Sequence, residues 1–219
     1  MPMKLISVNV ARPAEVQYGQ SPIRTGIFKR PVSGPVRVGS YNLEGDGQAD
    51  LENHGGLHKA VYAYSTDHYA YWREALGRDD MGWGQFGENL SIAGLDEAER
   101  CIGDRLQIGS ALFAVSQPRV PCYKLGIRFG DEHMPRMFSQ AALTGCYLSV
   151  LREGVIEAGD AVELVARGHR GVAVKPLFEA YMKRGGADAA RILERALEVP
   201  ELSPEWRAQI EKRLGRALA

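Results

Sequence analysis

The chain is poor in the features that usually announce a function. It has only 3 cysteines, Cys101, Cys122 and Cys146, an odd count with no C-x-x-C pair. That excludes a disulfide framework, a thioredoxin-like redox pair and a cysteine-rich zinc knuckle, and it points to reduced thiols in a cytoplasmic protein. Net charge is absent too: basic and acidic residues number 27 each, so no overall field draws nucleic acid or an anionic membrane. No apolar run is long enough to span a bilayer, and Met1 to Val10 lacks the layout of a signal peptide. A Walker loop, a Rossmann glycine fingerprint, an iron–sulfur cysteine run and H-E-x-x-H are all missing. With no recognisable flavin, nicotinamide or cluster site, electrons for any redox step must arrive from elsewhere.

What is present is a grammar of short strands and glycine turns. The 219 residues, 45% hydrophobic and 25% charged, suffice for one large domain or one domain with a small appendage. Leu5 to Val10 reads as a strand, Gly26 to Val32 as a second short one after a polar loop, and Val36-Arg37-Val38 as a strand edge. Glu44 to Asp50 is turn-rich. Ala60 to Tyr64 alternates small and aromatic or branched residues, as a strand does. Ser65-Thr66-Asp67 starts a helix with Tyr69, Trp72 and Leu76 on one face and Gly77 as its C-cap. Trp83 to Leu90 is a glycine-punctuated loop. Strands follow at Arg105 to Ile108, Ala111 to Val115, Cys146 to Leu151 and Ala161 to Leu164, with a short helix between at Pro135 to Leu143. After about Arg167 the pattern turns helical: Pro176 to Lys183, Ala187 to Leu197 and Pro204 to Leu218 each carry one apolar stripe. The expected fold is mainly β, a closed or partly closed barrel over residues 1–166, followed by a small three-helix unit over 167–219.

The chemistry concentrates in Gln117-Pro118-Arg119-Val120-Pro121-Cys122-Tyr123-Lys124-Leu125. A thiol flanked by Arg119 and Lys124 is set up to exist as thiolate, since nearby positive charge favours the charged form. Such a thiolate can attack carbon, exchange with disulfides or bind a metal; a buried, inert thiol is the alternative, and it is the reading for Cys101 and Cys146. If Pro121 to Leu125 is extended, Cys122 and Lys124 share a side, with Arg119 opposite unless Pro121 bends the chain. His54 and His58 flank Gly55-Gly56, which disfavours a helical metal pair. They remain candidates for anion donors, for a zinc site with Cys122, for the base of a cysteine nucleophile, or for plain backbone-satisfied histidines. Lys29, Arg30, Lys59, Arg119 and Lys124 lie in glycine- and proline-rich loops at strand ends, where a barrel exposes ligand sites.

The order of these pieces resembles a MOSC domain, the molybdenum-cofactor sulfurase C-terminal type. The matching segments are Gly26-Ile27-Phe28-Lys29, Leu43 to Asp50, His54 to Tyr62, Gly87-Glu88-Asn89-Leu90, Gly103-Asp104 and Gln117 to Leu125. The tail resembles the three-helix extension of one bacterial branch of that family. The resemblance implies a β-barrel that binds the molybdenum cofactor, with Cys122 as the molybdenum ligand and catalytic residue. It also implies that Lys29, His54, His58, Lys59, Arg119 and Lys124 supply cations and donors to the phosphate-tailed pterin, and Asn89 a hydrogen bond to its edge. Similar proteins reduce N-hydroxylated compounds such as 6-N-hydroxylaminopurine to amines. The partners implied are that small-molecule substrate and an external reductase, with no nucleic acid polymer and no membrane, in a monomer or homodimer. A non-catalytic carrier of the cofactor or its sulfur is the alternative, and a cysteine-nucleophile transferase a further one.

Overall fold

The computed structural model describes residues 2–49, 55–182 and 186–215. The strands are β1 (Met3–Val10), β2 (Ala14–Tyr18), β3 (Ser21–Thr25), β4 (Arg30–Val32), β5 (Val36–Val38), β6 (Val61–Ser65), β7 (Leu90–Ala93), β8 (Arg105–Ile108), β9 (Ala111–Pro118), β10 (Cys146–Arg152), β11 (Gly154–Ile156) and β12 (Ala161–Ala166). The helices are α1 (His68–Leu76), α2 (Tyr123–Phe129), α3 (Met134–Ala141), α4 (Val174–Met182), α5 (Ala187–Leu197) and α6 (Pro204–Arg213).

Seven strands close a barrel in the order β1-β7-β6-β10-β9-β8-β12, the last pairing back onto β1 through Met3 with Val162 and Lys4 with Ala161. Closure removes the barrel's free edges, the arrangement expected of many short strands with glycine turns. β4 adds to β1 outside the ring, and β6 with β7 is a parallel pair. The composition of β6 shows why the barrel has two apolar faces here. Val61 and Ala63 point into the main core, while Tyr62 and Tyr64 join a separate aromatic cluster with Tyr69, Trp72, Phe86 and Phe138. The period-2 alternation of a strand sorts small residues inward and tyrosines outward. Helix α1 covers that outer face with Tyr69 and Trp72, and Trp72 Nε1 donates to the Tyr64 hydroxyl at 2.7 Å. Gly77 ends α1 in the left-handed conformation at φ 60°, as its place after Leu76 predicts.

Three local expectations are overturned. Within Gly26 to Val32 only Arg30–Val32 is strand; Gly26 to Lys29 is a loop turned toward the candidate site. The stretch before it, expected as a polar loop, is the exposed hairpin β2–β3, which carries no one-sided apolar pattern because neither face is fully buried. Pro121 to Leu125 is not extended either. Tyr123 begins α2, with Lys124, Leu125 and Gly126 buried, and Cys122 is the extended residue just ahead of it. Pro121 is compatible with this because it lies outside the helix, where its missing N–H is not needed. β9, for its part, runs on to Pro118, the terminal strand residue, where a proline is tolerated.

The C-terminal helices share the barrel's core. Leu177, Ala180, Leu193, Ala196, Trp206 and Ile210 belong to the same buried cluster as Leu106, Phe113 and Val115 of the barrel. Backbone bonds stitch the joint: Ile102 N–H to Val172 O at 2.9 Å, Val174 N–H to Arg100 O at 2.8 Å, and Ser203 N–H to Ser116 O at 3.3 Å. Ser203 also caps α6, its hydroxyl accepting from Trp206 N–H at 3.1 Å ahead of Pro204 at the first turn. Among the described residues no helix is long and apolar enough to cross a membrane.

Candidate cofactor site

A cavity opens where the ends of β6 and β9 meet the loops that follow β3 and precede β7. It is lined by Lys29, Lys59, Arg119, Cys122 and Lys124, together with Asn89, Tyr62 and Tyr147. Four of the residues expected to act at the site, Lys29, Lys59, Arg119 and Lys124, therefore converge with Cys122 and Asn89, although they are up to 95 positions apart in sequence (Lys29 to Lys124). Among the described residues the charge balance of the lining is one-sided: four cations against the carboxylate of Asp46. The cations are also buried, with Lys29 and Lys124 each 8% and Arg119 5% exposed.

Buried charge needs a partner, and the structure shows how much of that need is met internally. Lys29 pairs with Asp46 at 2.5 Å. Burial lowers the Lys29 pKa, and the Asp46 carboxylate only partly offsets this. Lys59 pairs with Glu205 of α6, which reaches in from the C-terminal helices. Arg119 is different. No carboxylate among the described residues lies within ion-pair distance of it, and its Nη1 is buried without a hydrogen-bond partner. Its guanidinium lies over the rings of Tyr62 and Phe138, 5.0 and 5.2 Å from their centroids. Burial works against its charge, yet Tyr62, Tyr147 and Cys122 outweigh that and hold its pKa above the ordinary value. A buried cation and an adjacent thiolate stabilise one another.

The three cysteines separate cleanly. Cys146 is fully buried in the barrel core, and burial pushes its thiol up. Cys101 is half-buried in a bridge to Ala173, and burial raises its pKa too, with Asp104 adding to the effect. Cys122 alone of the three lines the cavity and is partly accessible.

Asn89 lines the cavity, but its amide is engaged in the wall. Oδ1 accepts from Tyr62 N–H at 3.1 Å, and Nδ2 donates to Asn9 O at 3.2 Å and to Asp46 Oδ2 at 2.8 Å. His58 sits in a single 3-10 turn, Leu57–Lys59, outside the cavity lining. Its Nδ1 is buried without a partner among the described residues, and burial lowers its pKa. His54 lies outside the described residues. No cluster of three metal-ligating side chains occurs among the described residues.

Several residues that shape the site escaped the sequence reading. Asp46 joins Lys29, Asn89 and the Ala11 N–H at 2.9 Å. Gln48 accepts from Gly56 N–H at 2.8 Å and so pins the glycine pair beside Lys59. Glu88 is wholly buried and accepts from Tyr69 O–H at 2.5 Å, Gly84 N–H and Ser91 O–H at 2.8 Å, and Phe86 N–H at 3.0 Å. Burial raises its pKa, and the hydrogen bonds from Tyr69, Gly84 and Ser91 only partly offset this. This network folds the glycine loop so that Gly87 packs against Ile27: at φ 78°, a Cβ there would sit 2.8 Å from the Ile27 side chain. The signal lay in plain view, since Asp46, Gln48 and Glu88 all fall within quoted turn motifs.

Among the described residues the donor set suits an extended anionic ligand with a soft metal: one thiol and four cations, one of them with a guanidinium nitrogen that has no hydrogen-bond partner there. The enclosed volume, about 110 Å³, lies well below that of a whole drug-sized pocket and takes only part of such a ligand.

Comparison with known proteins agrees with this architecture. Residues 50–163 match the MOSC domain, and residues 185–217 match the YiiM-like, 3-alpha helix domain. The Bacillus subtilis protein YflK is 42% identical over 214 residues, 98% of this chain and 96% of its own. The crystal structure of YiiM from Geobacillus stearothermophilus superposes with a TM-score of 0.81 at 36% identity, covering 97% of this chain and 100% of the other. A Gibberella moniliformis protein named a reductase is 35% identical over 148 residues, 66% of this chain but 26% of that protein.

Proposed function

This chain belongs to the MOSC-domain family, and on that premise we propose that it is a molybdenum-cofactor-dependent reductase of N-hydroxylated compounds, 6-N-hydroxylaminopurine among them. The observation that carries the reading is the convergence of Cys122 with Lys29, Lys59, Arg119 and Lys124 around one cavity, with Arg119 Nη1 left without a hydrogen-bond partner among the described residues. A MOSC domain is associated with molybdenum-cofactor binding, and the Gibberella relative carries the name reductase.

Cys122 holds the metal as a soft thiolate ligand. Arg119, Lys124 and Lys29 hold the phosphate end, with Lys59 adding positive charge at the junction with α6. Tyr62 and Phe138 keep the Arg119 guanidinium from turning away, so its free nitrogen stays directed by packing rather than by a carboxylate. Asn89 and Asp46 fix the walls. When bound, the molybdenum cofactor supplies the oxygen-accepting two-electron centre. The overall change is R–NHOH plus two electrons and two protons to R–NH₂ plus water. The electrons come from an external reductase, in keeping with the lack of an electron-carrier motif in the chain.

The test is to prepare the full chain from hosts that make the cofactor and hosts that do not. Molybdenum content and reduction of 6-N-hydroxylaminopurine by an added reductase are then compared. One molybdenum per chain and turnover only from the cofactor-producing host are expected. Equal turnover from both hosts defeats the reading. Cofactor binding with no turnover favours the carrier alternative.

A further inference from the structure

Cys122 borders a second cavity, of about 290 Å³, between the barrel and the C-terminal helices. Gln117, Val120 and Pro121 line its barrel side, and Tyr181, Trp206 and Gln209 its helical side. Lys59, Cys122 and Tyr147 are common to both cavities. We infer that this second cavity is the substrate subsite, and that the helical tail gives it an aromatic wall that selects planar N-hydroxylated heterocycles. The inference rests on Cys122 as the metal ligand.

Three observations carry it. The first is placement: a group held here lies against the same cysteine that borders the cationic cavity, so a hydroxylamino nitrogen is brought to the reacting centre while the phosphate end of the cofactor is held elsewhere. The second is surface chemistry. Tyr181 is half-buried and borders the cavity with its ring, and Trp206, 1% exposed, packs against it with ring centroids 4.8 Å apart at 45°. The volume is close to the lower end of small-molecule pockets, suited to one fused ring system rather than a long chain. The third is an unmet need. Gln117 is 2% exposed, and its Oε1 has no hydrogen-bond partner among the described residues. A buried acceptor without a donor is costly, and a ring or exocyclic N–H of a heterocyclic base satisfies it. The tail is held against the cavity by the Glu205–Lys59 ion pair and by Ser203 N–H on Ser116 O.

Tyr181→Leu keeps apolar bulk and removes the ring, and Gln117→Met removes the acceptor at similar length; Trp206, at 1% exposure, is left intact to protect the fold. Three readouts are taken on the full chain: molybdenum per chain, adenine affinity of cofactor-free protein by calorimetry, and kcat/KM for 6-N-hydroxylaminopurine beside hydroxylamine, which has no ring. Adenine is expected to bind the cofactor-free wild type. Each variant is expected to keep its molybdenum, weaken adenine by about tenfold, and lose about tenfold more kcat/KM on the purine than on hydroxylamine, through KM. Variants that lose molybdenum instead show the cavity to hold part of the cofactor, and the inference fails. Unchanged adenine affinity and unchanged discrimination also overturn it. A wild type that binds adenine but never molybdenum defeats the proposed reductase and with it the substrate role of this cavity, leaving only a base-binding cavity.

Discussion

Replacing Arg119 with methionine separates a ligand-holding cation from a structural one. In the folded chain the guanidinium is 5% exposed, stacked over two rings, and without a carboxylate among the described residues. Methionine loses two cation–π contacts, each about 0.5 to 2 kcal/mol. It also relieves the desolvation of a buried charge, which costs several kcal/mol, and it fills most of the same apolar space. These terms oppose each other, so the cofactor-free fold should change by less than about 2 kcal/mol, a Tm shift within about 8 °C for a chain of this length. Anion binding has no such compensation. A charge-assisted hydrogen bond contributes about 1.5 to 3 kcal/mol, or roughly a 10- to 150-fold weakening when removed. The assay is a titration of cofactor-free full-length protein with inorganic phosphate, followed by calorimetry and by the ligand-dependent rise in Tm. Unchanged phosphate affinity, together with destabilisation beyond about 3 kcal/mol, would refute the argument, because that is the signature of a broken internal network.

Cys122→Ser should fold normally yet lose molybdenum retention, measured by metal analysis, because the residue is partly accessible and lines the cavity. Cys146→Ser should keep the metal and lose about 1 to 3 kcal/mol in denaturant unfolding, since it places a hydroxyl in the barrel core. Glu88→Gln should lower stability by about 1 to 3 kcal/mol, because the amide keeps one acceptor oxygen and turns its NH2 toward the donors that the other carboxylate oxygen accepts. An unchanged Tm would argue against the Glu88 network. Burial lowers the Lys29 pKa, so its cationic form is lost as pH rises through a value below the usual 10.5. Phosphate affinity should therefore fall on the alkaline side earlier in wild type than in Lys29→Arg, and identical pH profiles would remove Lys29 from the anion site.

The barrel was legible because its strands are short, alternating and punctuated by glycine: Ala60 to Tyr64 announces both an inner and an outer face, and Gly77 and Gly109 stand where chain reversals need them. The site was legible through residue types, since a thiol between basic residues has few bland explanations. Elements with no periodic signal were harder. The β2–β3 hairpin is exposed on both sides, so nothing in its apolar pattern distinguishes it from a loop. Helix α2 hides behind two prolines, and its burial of Lys124 comes from tertiary packing rather than from propensity. Asn89 was legible as a site residue but not as a wall brace, because its partners Tyr62, Asn9 and Asp46 are far away in sequence. The tail's stripes were readable; their merger with the barrel core was not, since a stripe does not say what it will lie against.

The ion pair between Lys59 and Glu205 has a thermodynamic corollary. A ligand that draws the Lys59 ammonium toward itself competes with α6 for that ammonium, so occupancy and helix docking are linked equilibria whose mutual influence is equal in size in both directions. A protein seized by its last helix would be changed in its hold on an anion, and an anion would report itself at a surface far down the chain from the cysteine.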